Sequence, residues 1–194
     1  MELFSLNACG IDEVGRGPLA GPVMAACVFI PQHSQSLDFW SYITDSKKLS
    51  AKKRDYLYDF IIEHTQYGIG ECSPEEIDNL NIHHATLLAM KRAHANANIQ
   101  AEMALVDGKF CPEIPCPAQA VVKGDSKHIE IAAASIIAKV TRDRMMAKLH
   151  EEFPMYGWKK NAGYGTAEHR TAIEKHGITE YHRKSFAPCM AYAA

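Results

Sequence analysis

The sequence lacks the markers of several large protein classes. Nowhere in its 194 residues is there an apolar run of the roughly 18 needed to cross a bilayer. The first residues lack a charged segment followed by an apolar run, so a cleaved leader is not expected. Neither sign of charge dominates: 21 Lys and Arg against 23 Asp and Glu leave a formal net charge of -2. Global attraction to a polyanion is thereby excluded, and any nucleic-acid partner must be held by local patches. The six cysteines (Cys9, Cys27, Cys72, Cys111, Cys116, Cys189) form no C-x-x-C pair. The closest two, Cys111 and Cys116, sit among Pro112, Pro115 and Pro117 with no second ligand pair at a zinc-site spacing. A loop is expected there, not a zinc site. Repeats, linkers and low-complexity segments are absent. One domain over residues 1–194, in a reducing, cytoplasmic setting, is the expectation.

The informative stretch runs from Cys9 to Val23. Two adjacent carboxylates, Asp12 and Glu13, follow an apolar lead-in and run into Gly15-Arg16-Gly17. Neighbouring residues on a strand point to opposite faces, so both acids reach one site only where the strand ends or bulges. The glycines after them allow a bend and bring backbone near a ligand. Acids so close to a core must be paired or metal-bound.

Periodicity predicts strands at 8–14, 24–30, 66–72, 101–106 and 118–122. It predicts helices from Ser50 to about 64, from a Ser73-Pro74-Glu75-Glu76 start, over about 82–97, over 129–152, and over 167–176 behind a Thr166 cap. Residues 31–42 and 154–162 read as irregular, and the last residues are without pattern. The 45–54 segment carries five basic residues against one acid. His83, His84 and His94 are expected at a surface or rim. Strands first, then strands interleaved with helices, indicate a mixed α/β sheet.

Four acids fall where strands end or helices begin: Asp12, Glu13, Asp107 and Asp125. Carboxylates without cysteine or obligatory histidine suit hard cations, Mg²⁺ or Mn²⁺. Two such ions can activate a water and stabilise a leaving oxygen in phosphoryl transfer. Taken singly, Asp125 could instead be a helix N-cap, and Asp107-Gly108 a tight turn.

These residues resemble type 2 ribonuclease H, the bacterial ribonuclease HII group. The likeness begins with the run from Gly10 to Val23 and continues through Asp45-Ser46-Lys47-Lys48-Leu49, Leu80-Asn81-Ile82, Val106-Asp107-Gly108 and Lys123-Gly124-Asp125. It extends through Ile131 to Asp143, Gly163-Tyr164-Gly165-Thr166 and His182-Arg183-Lys184-Ser185-Phe186. The resemblance implies the ribonuclease H fold, an α/β arrangement in which helices flank a five-stranded mixed sheet, with extra helices at the C-terminus. It implies an endonuclease that cuts the RNA strand of RNA/DNA hybrids. It also implies incision of DNA 5′ of an embedded ribonucleotide, leaving 3′-hydroxyl and 5′-phosphate ends. Asp12, Glu13, Asp107 and Asp125 would hold the two cations. Gly15, Arg16 and Gly17 would sense the ribose 2′-hydroxyl, and Tyr164 would stack on the following deoxyribose. Without the resemblance, a packed core tyrosine would be the better reading of Tyr164. Lys47, Lys48, Lys123, Lys139 and Arg142 would contact phosphates, with Ser135 and Lys139 alternatively orienting Asp125 or satisfying core polar groups. Ala162 stands where some members carry a basic residue. The tail from Pro188 lacks the pattern with which some relatives bind sliding clamps, so no such partner is expected; nor is a membrane, and a monomer is.

Overall fold

The computed structural model describes residue 4, residues 7–43 and residues 49–193. Lys47 and Lys48 lie outside the described residues. The apolar runs form β1 (Ala8–Val14) and β2 (Val23–Phe29), which pair antiparallel from Cys9↔Phe29 to Val14↔Met24. Ser50 accepts a hydrogen bond from the Lys53 N–H and starts α1 (Ala51–His64), which leads into β3 (Gln66–Cys72) beside β2. After α2 (Pro74–Ala97), β4 (Met103–Asp107) and β5 (Ala118–Val121) add on the other side, each parallel to its neighbour. The order β3-β2-β1-β4-β5 is a five-stranded mixed sheet. The long α3 (Ile129–Glu152) then crosses it. The single turn α4 (Trp158–Asn161), α5 (Ala167–His176) and the single turn α6 (Ala187–Met190) complete the C-terminal part.

Side chains alternate across the strands and make two cores. Ala26 and Val28 of β2 pack with α1 and α3 on one face. Cys9 and Ile11 of β1 with Ala25 and Cys27 of β2 pack with α2 on the other. Two glycines of β3 do more than weaken a strand. A Cβ on Gly68 or Gly70 would strike the α2 backbone at Ala93, Ala97 and Ala89. The alanine stripe of α2 thus meets bare strand, and helix and sheet come closer than ordinary side chains allow. Gly10 does the same under α3, where a Cβ would collide with the backbone of Glu130 and Ile131.

The helix start at Pro74 and the helix over 82–97 are continuous as α2, joined across a kink at Asn81 (φ 63°). The Asn81 side chain accepts from the N–H groups of His83 and His84 and recaps the second half. His94 departs from the rim position expected of it: it is buried, with Cys116 Sγ 3.6 Å from its Nε2. Residues 31–42 include two short 3-10 turns that carry Trp40 into the core, its indole donating to Ser34 O at 2.7 Å. All six cysteines are free thiols.

Candidate active site

β1 stays regular through Glu13 and ends one residue later. Its parallel partner β4 ends at Asp107, just past the Ile11↔Val106 pair. Asp12 points to the α3 side and Glu13 to the α2 side, so the two acids do not meet through a bulge. They are drawn together by the end of the neighbouring strand, where Asp107 stands beside both. All three line one cleft of about 280 Å³ together with Ser135, Lys139 and Tyr164.

The electrostatics of this cleft are unfavourable as they stand. Asp12 is 6% exposed, and burial, then Glu13 and Asp107, push its carboxyl well above the usual carboxylate range. The Ser135 hydroxyl and the Glu13 N–H (2.8 Å) oppose the rise. Burial also raises Glu13, against the attraction of Arg16, whose Nη1 is 3.6 Å from Oε1. Asp107 Oδ1 accepts the Gly124 N–H at 2.6 Å. Mutually repelling, partly desolvated carboxylates are relieved by a cation. Among the described residues no three Asp, Glu, His or Cys side chains converge enough to enclose an ion by themselves. An open set of hard oxygens still fits a magnesium-type ion, which takes one or two carboxylates and leaves positions for substrate phosphate.

Asp125 does not line this cleft. It is buried in the short turn Gly124–Ser126, one residue beyond the amide that binds Asp107. It does not cap α3 either, whose N-cap is His128. Lys139 lines the cleft while held by Asp143 at 2.8 Å. Tyr164 is 46% exposed and faces the cleft, which removes the core-tyrosine alternative. A Cβ on Gly17 would sit 3.4 Å from its ring. The Gly15-Arg16-Gly17 loop and the tyrosine are thus adjacent.

Arg142 is a correction. The resemblance implies a phosphate contact for it, but its side chain is buried, 1% exposed. It donates to the carbonyls of Pro22 (2.9 Å), Ala162 (2.8 Å) and Ala20 (2.9 Å). A buried guanidinium that gives three of its five N–H donors to backbone carbonyls does not reach out to a phosphate. Arg183 works alongside it, in a role that its sequence neighbourhood does not announce. It is fully buried and donates to Gly15 O, Arg16 O (3.0 Å) and Gly21 O (2.9 Å). Burial lowers Arg183 to about 9 and Arg142 to about 10, both still cationic at neutral pH. Arg142 stands between Thr141 and Asp143 and Arg183 between His182 and Lys184, so no apolar run announces their burial, and most of their partners lie more than a hundred residues away.

Behind Tyr164, His169 Nδ1 lies 3.0 Å from Tyr164 O. Trp158 donates to His169 Nε2 at 3.1 Å, and His182 Nε2 lies 3.2 Å from the same atom. The Thr179 N–H donates to His182 Nδ1 at 2.9 Å.

A mixed five-stranded sheet with acids at the ends of β1 and β4 is the ribonuclease H-like fold. The ribonuclease H2 of Pyrococcus horikoshii has it too, with a TM-score of 0.79 at 23% identity over 96% of both chains. So does the ribonuclease HII of Archaeoglobus fulgidus, solved in complex with PCNA, with a TM-score of 0.72 at 27% identity over 93% of this chain and 95% of that one. The family model for ribonuclease HII matches residues 9–189. The chain is 54% identical to ribonuclease HII of Wolbachia pipientis over 92% of its length and 89% of the relative's. It is 53% identical to that of Burkholderia cenocepacia over 94% and 84%. The chain belongs to the ribonuclease HII family. It is an endonucleolytic phosphodiester hydrolase acting on the RNA of RNA/DNA hybrids. No helix among the described residues is long and apolar enough to cross a membrane.

Proposed function

We propose that this endonuclease also incises duplex DNA immediately 5′ of a single embedded ribonucleotide, leaving a 3′-hydroxyl and a 5′-phosphate. The observation that carries the reading is that Tyr164 shares one cleft with the three acids and has Gly17 against its ring. Asp12, Glu13 and Asp107 would hold divalent cations, Mg²⁺ or Mn²⁺. Asp125 is the proposed fourth ligand, supported by its place one residue past the amide bound to Asp107. Bound there, two such ions supply an activated water and stabilise the leaving 3′-oxygen.

The chain's own residues do the selecting. Arg183 turns the carbonyls of Gly15 and Arg16 inward. In a trans peptide the N–H points opposite to the C=O, so the amides of Arg16 and Gly17 present their donors outward. An N–H held there donates to a ribose 2′-hydroxyl oxygen and finds nothing on a deoxyribose. The ring of Tyr164, next in line, offers an apolar face that accepts any base's sugar and clashes with a second 2′-hydroxyl. Ser135 holds the Asp12 carboxylate by hydrogen bond, and Lys139 adds positive charge at the rim.

The test is a DNA duplex with one ribonucleotide, incubated with Mg²⁺ or Mn²⁺ and with EDTA. A metal-dependent nick 5′ of the ribonucleotide is expected, and an uncut duplex with both metals overturns the reading. Asp12→Asn should abolish the nick without lowering the melting temperature, because it removes a carboxylate that burial disfavours.

A further inference from the structure

A second groove lies outside the cleft just discussed. It holds about 500 Å³ between the first turn of α1, the outer face of α3 and α4. Five cations line it, Arg54, Lys139, Arg144, Lys159 and Lys160, against two acids, Asp55 and Asp143. A chain with a net charge of -2 concentrates positive charge here. Lys139 lines both this groove and the acidic cleft, so the two adjoin at that side chain.

The wall and the lip of the groove differ. On the wall, Lys139 is tied to Asp143 at 2.8 Å, and Arg144 to Asp55 at 3.0 Å while stacking on the Tyr58 ring at 4.5 Å. These pairs fix the shape of the groove more than they supply charge. On the lip, Lys159 and Lys160 are exposed neighbours on α4. That single turn is anchored from below by buried Trp158, and by Asn161, whose side chain donates to Tyr156 O at 2.7 Å. Only Ala162 and Gly163 separate it from Tyr164. Two flexible ammonium groups are thereby held on a rigid turn beside the tyrosine that faces the acids.

We infer that this groove binds the phosphodiester backbone of the duplex flanking the cut, with Lys159 and Lys160 as its principal phosphate contacts. The inference rests on the proposed reading of the acidic cleft, whose substrate it extends. Ammonium groups read phosphate without reading sequence, which suits an enzyme that cuts wherever a ribonucleotide occurs. The site is therefore assigned to affinity and orientation, with no part in the chemical step.

The test compares the full-length chain with Lys159→Gln/Lys160→Gln, using Lys91→Gln, on the opposite face of the sheet, as a control. Fluorescence anisotropy reads affinity for a duplex with one ribonucleotide across a salt series, with EDTA present so that nothing is cut. Each lysine that no longer neutralises a phosphate lowers the slope of log affinity against log salt by about 0.9, so the double variant should fall by about 1.8. In cutting assays KM should rise about tenfold while kcat stays within twofold. An unchanged slope, or an effect equal to that of Lys91→Gln, overturns the proposal. Trimming either the cut strand or its complement, one end at a time, then tells which backbone lies in the groove. The trimmed end at which wild type and double variant become equal identifies it, and a difference that survives every trimming also overturns the proposal. If the wild-type chain binds with the expected slope but never nicks the duplex, the reading of the cleft fails and the groove stands.

Discussion

Trp158 donates its indole N–H to Nε2 of His169, and this fixes which way the histidine faces. Indole nitrogen only donates, so Nε2 must accept, and the ring proton sits on Nδ1, directed at Tyr164 O 3.0 Å away. By the same logic His182 carries its proton on Nε2 and accepts the Thr179 N–H on Nδ1. Two neutral histidines in defined tautomers thus support the tyrosine from behind.

These tautomers have a pH consequence. Burial, then the neighbouring His169, lowers His182 to about 4, and burial lowers His169 as well. Both folded values lie below the ordinary histidine value, so the stabilisation is complete above about pH 6.5 and is lost as pH falls toward 4. Ring-nitrogen NMR should find His182 neutral at pH 5.5 with its proton on Nε2, and the proton of neutral His169 on Nδ1. A protonated His182 ring at that pH, or a His169 proton on Nε2, would refute the arrangement.

Tyr164 should separate two activities. Its ring is half exposed, so Tyr164→Ala should change stability by no more than about 0.5 kcal/mol. Cutting at a single embedded ribonucleotide should fall at least tenfold, and cutting of a long RNA/DNA hybrid much less, because only the former ends in a deoxyribose at the ring. Tyr164→Phe should keep most of both. Equal losses on the two substrates would remove the sugar-stacking role.

Arg183 should not tolerate lysine. A single ammonium cannot reach Gly15, Arg16 and Gly21 carbonyls together as the planar fork does. Arg183→Lys should cost about 3 kcal/mol in urea unfolding, since buried carbonyls lose charged donors. Nicking at a ribonucleotide should fall more than binding of plain duplex DNA. A variant of wild-type stability and activity would show that the loop holds its shape without the clamp.

Gly10 links the sheet to the acids from below. Gly10→Ala forces a methyl into the Glu130–Ile131 backbone and should cost about 3 kcal/mol. Because α3 also carries Ser135 to Asp12, the variant should lose kcat even at temperatures where circular dichroism shows it folded. Full kcat in the folded variant would show that the Ser135–Asp12 bond does not depend on this close approach.

What the sequence made legible was largely local. Period-two and period-3.6 patterns located β1, β3 and α3, and explicit caps located the starts of α1, α2 and α5, because Ser50, Ser73 and Thr166 each form the cap their identity predicts. Asp12 and Glu13 stood out because acids rarely interrupt an apolar strand. The kink at Asn81 escaped, since an asparagine adopting positive φ and recapping a helix looks like any helical asparagine. Arg142 misleads for a different reason. A basic residue on a polar strip of a helix has the same spacing whether it reaches solvent or carbonyls, and its partners at Ala20 and Pro22 lie far off in the chain. Arg183 and His169 stay hidden on the same ground, their effect being visible only once the loop and Tyr164 are set beside them.

The tie between Arg183 and the Gly15–Gly21 carbonyls also bears on the order of synthesis. The acids of β1 and β4 have been added to the chain by residue 107, but the donor that holds the neighbouring loop arrives only with residue 183. On the proposed reading, the loop that would read the sugar gains this support only 76 residues after the last of the three cleft acids has been added.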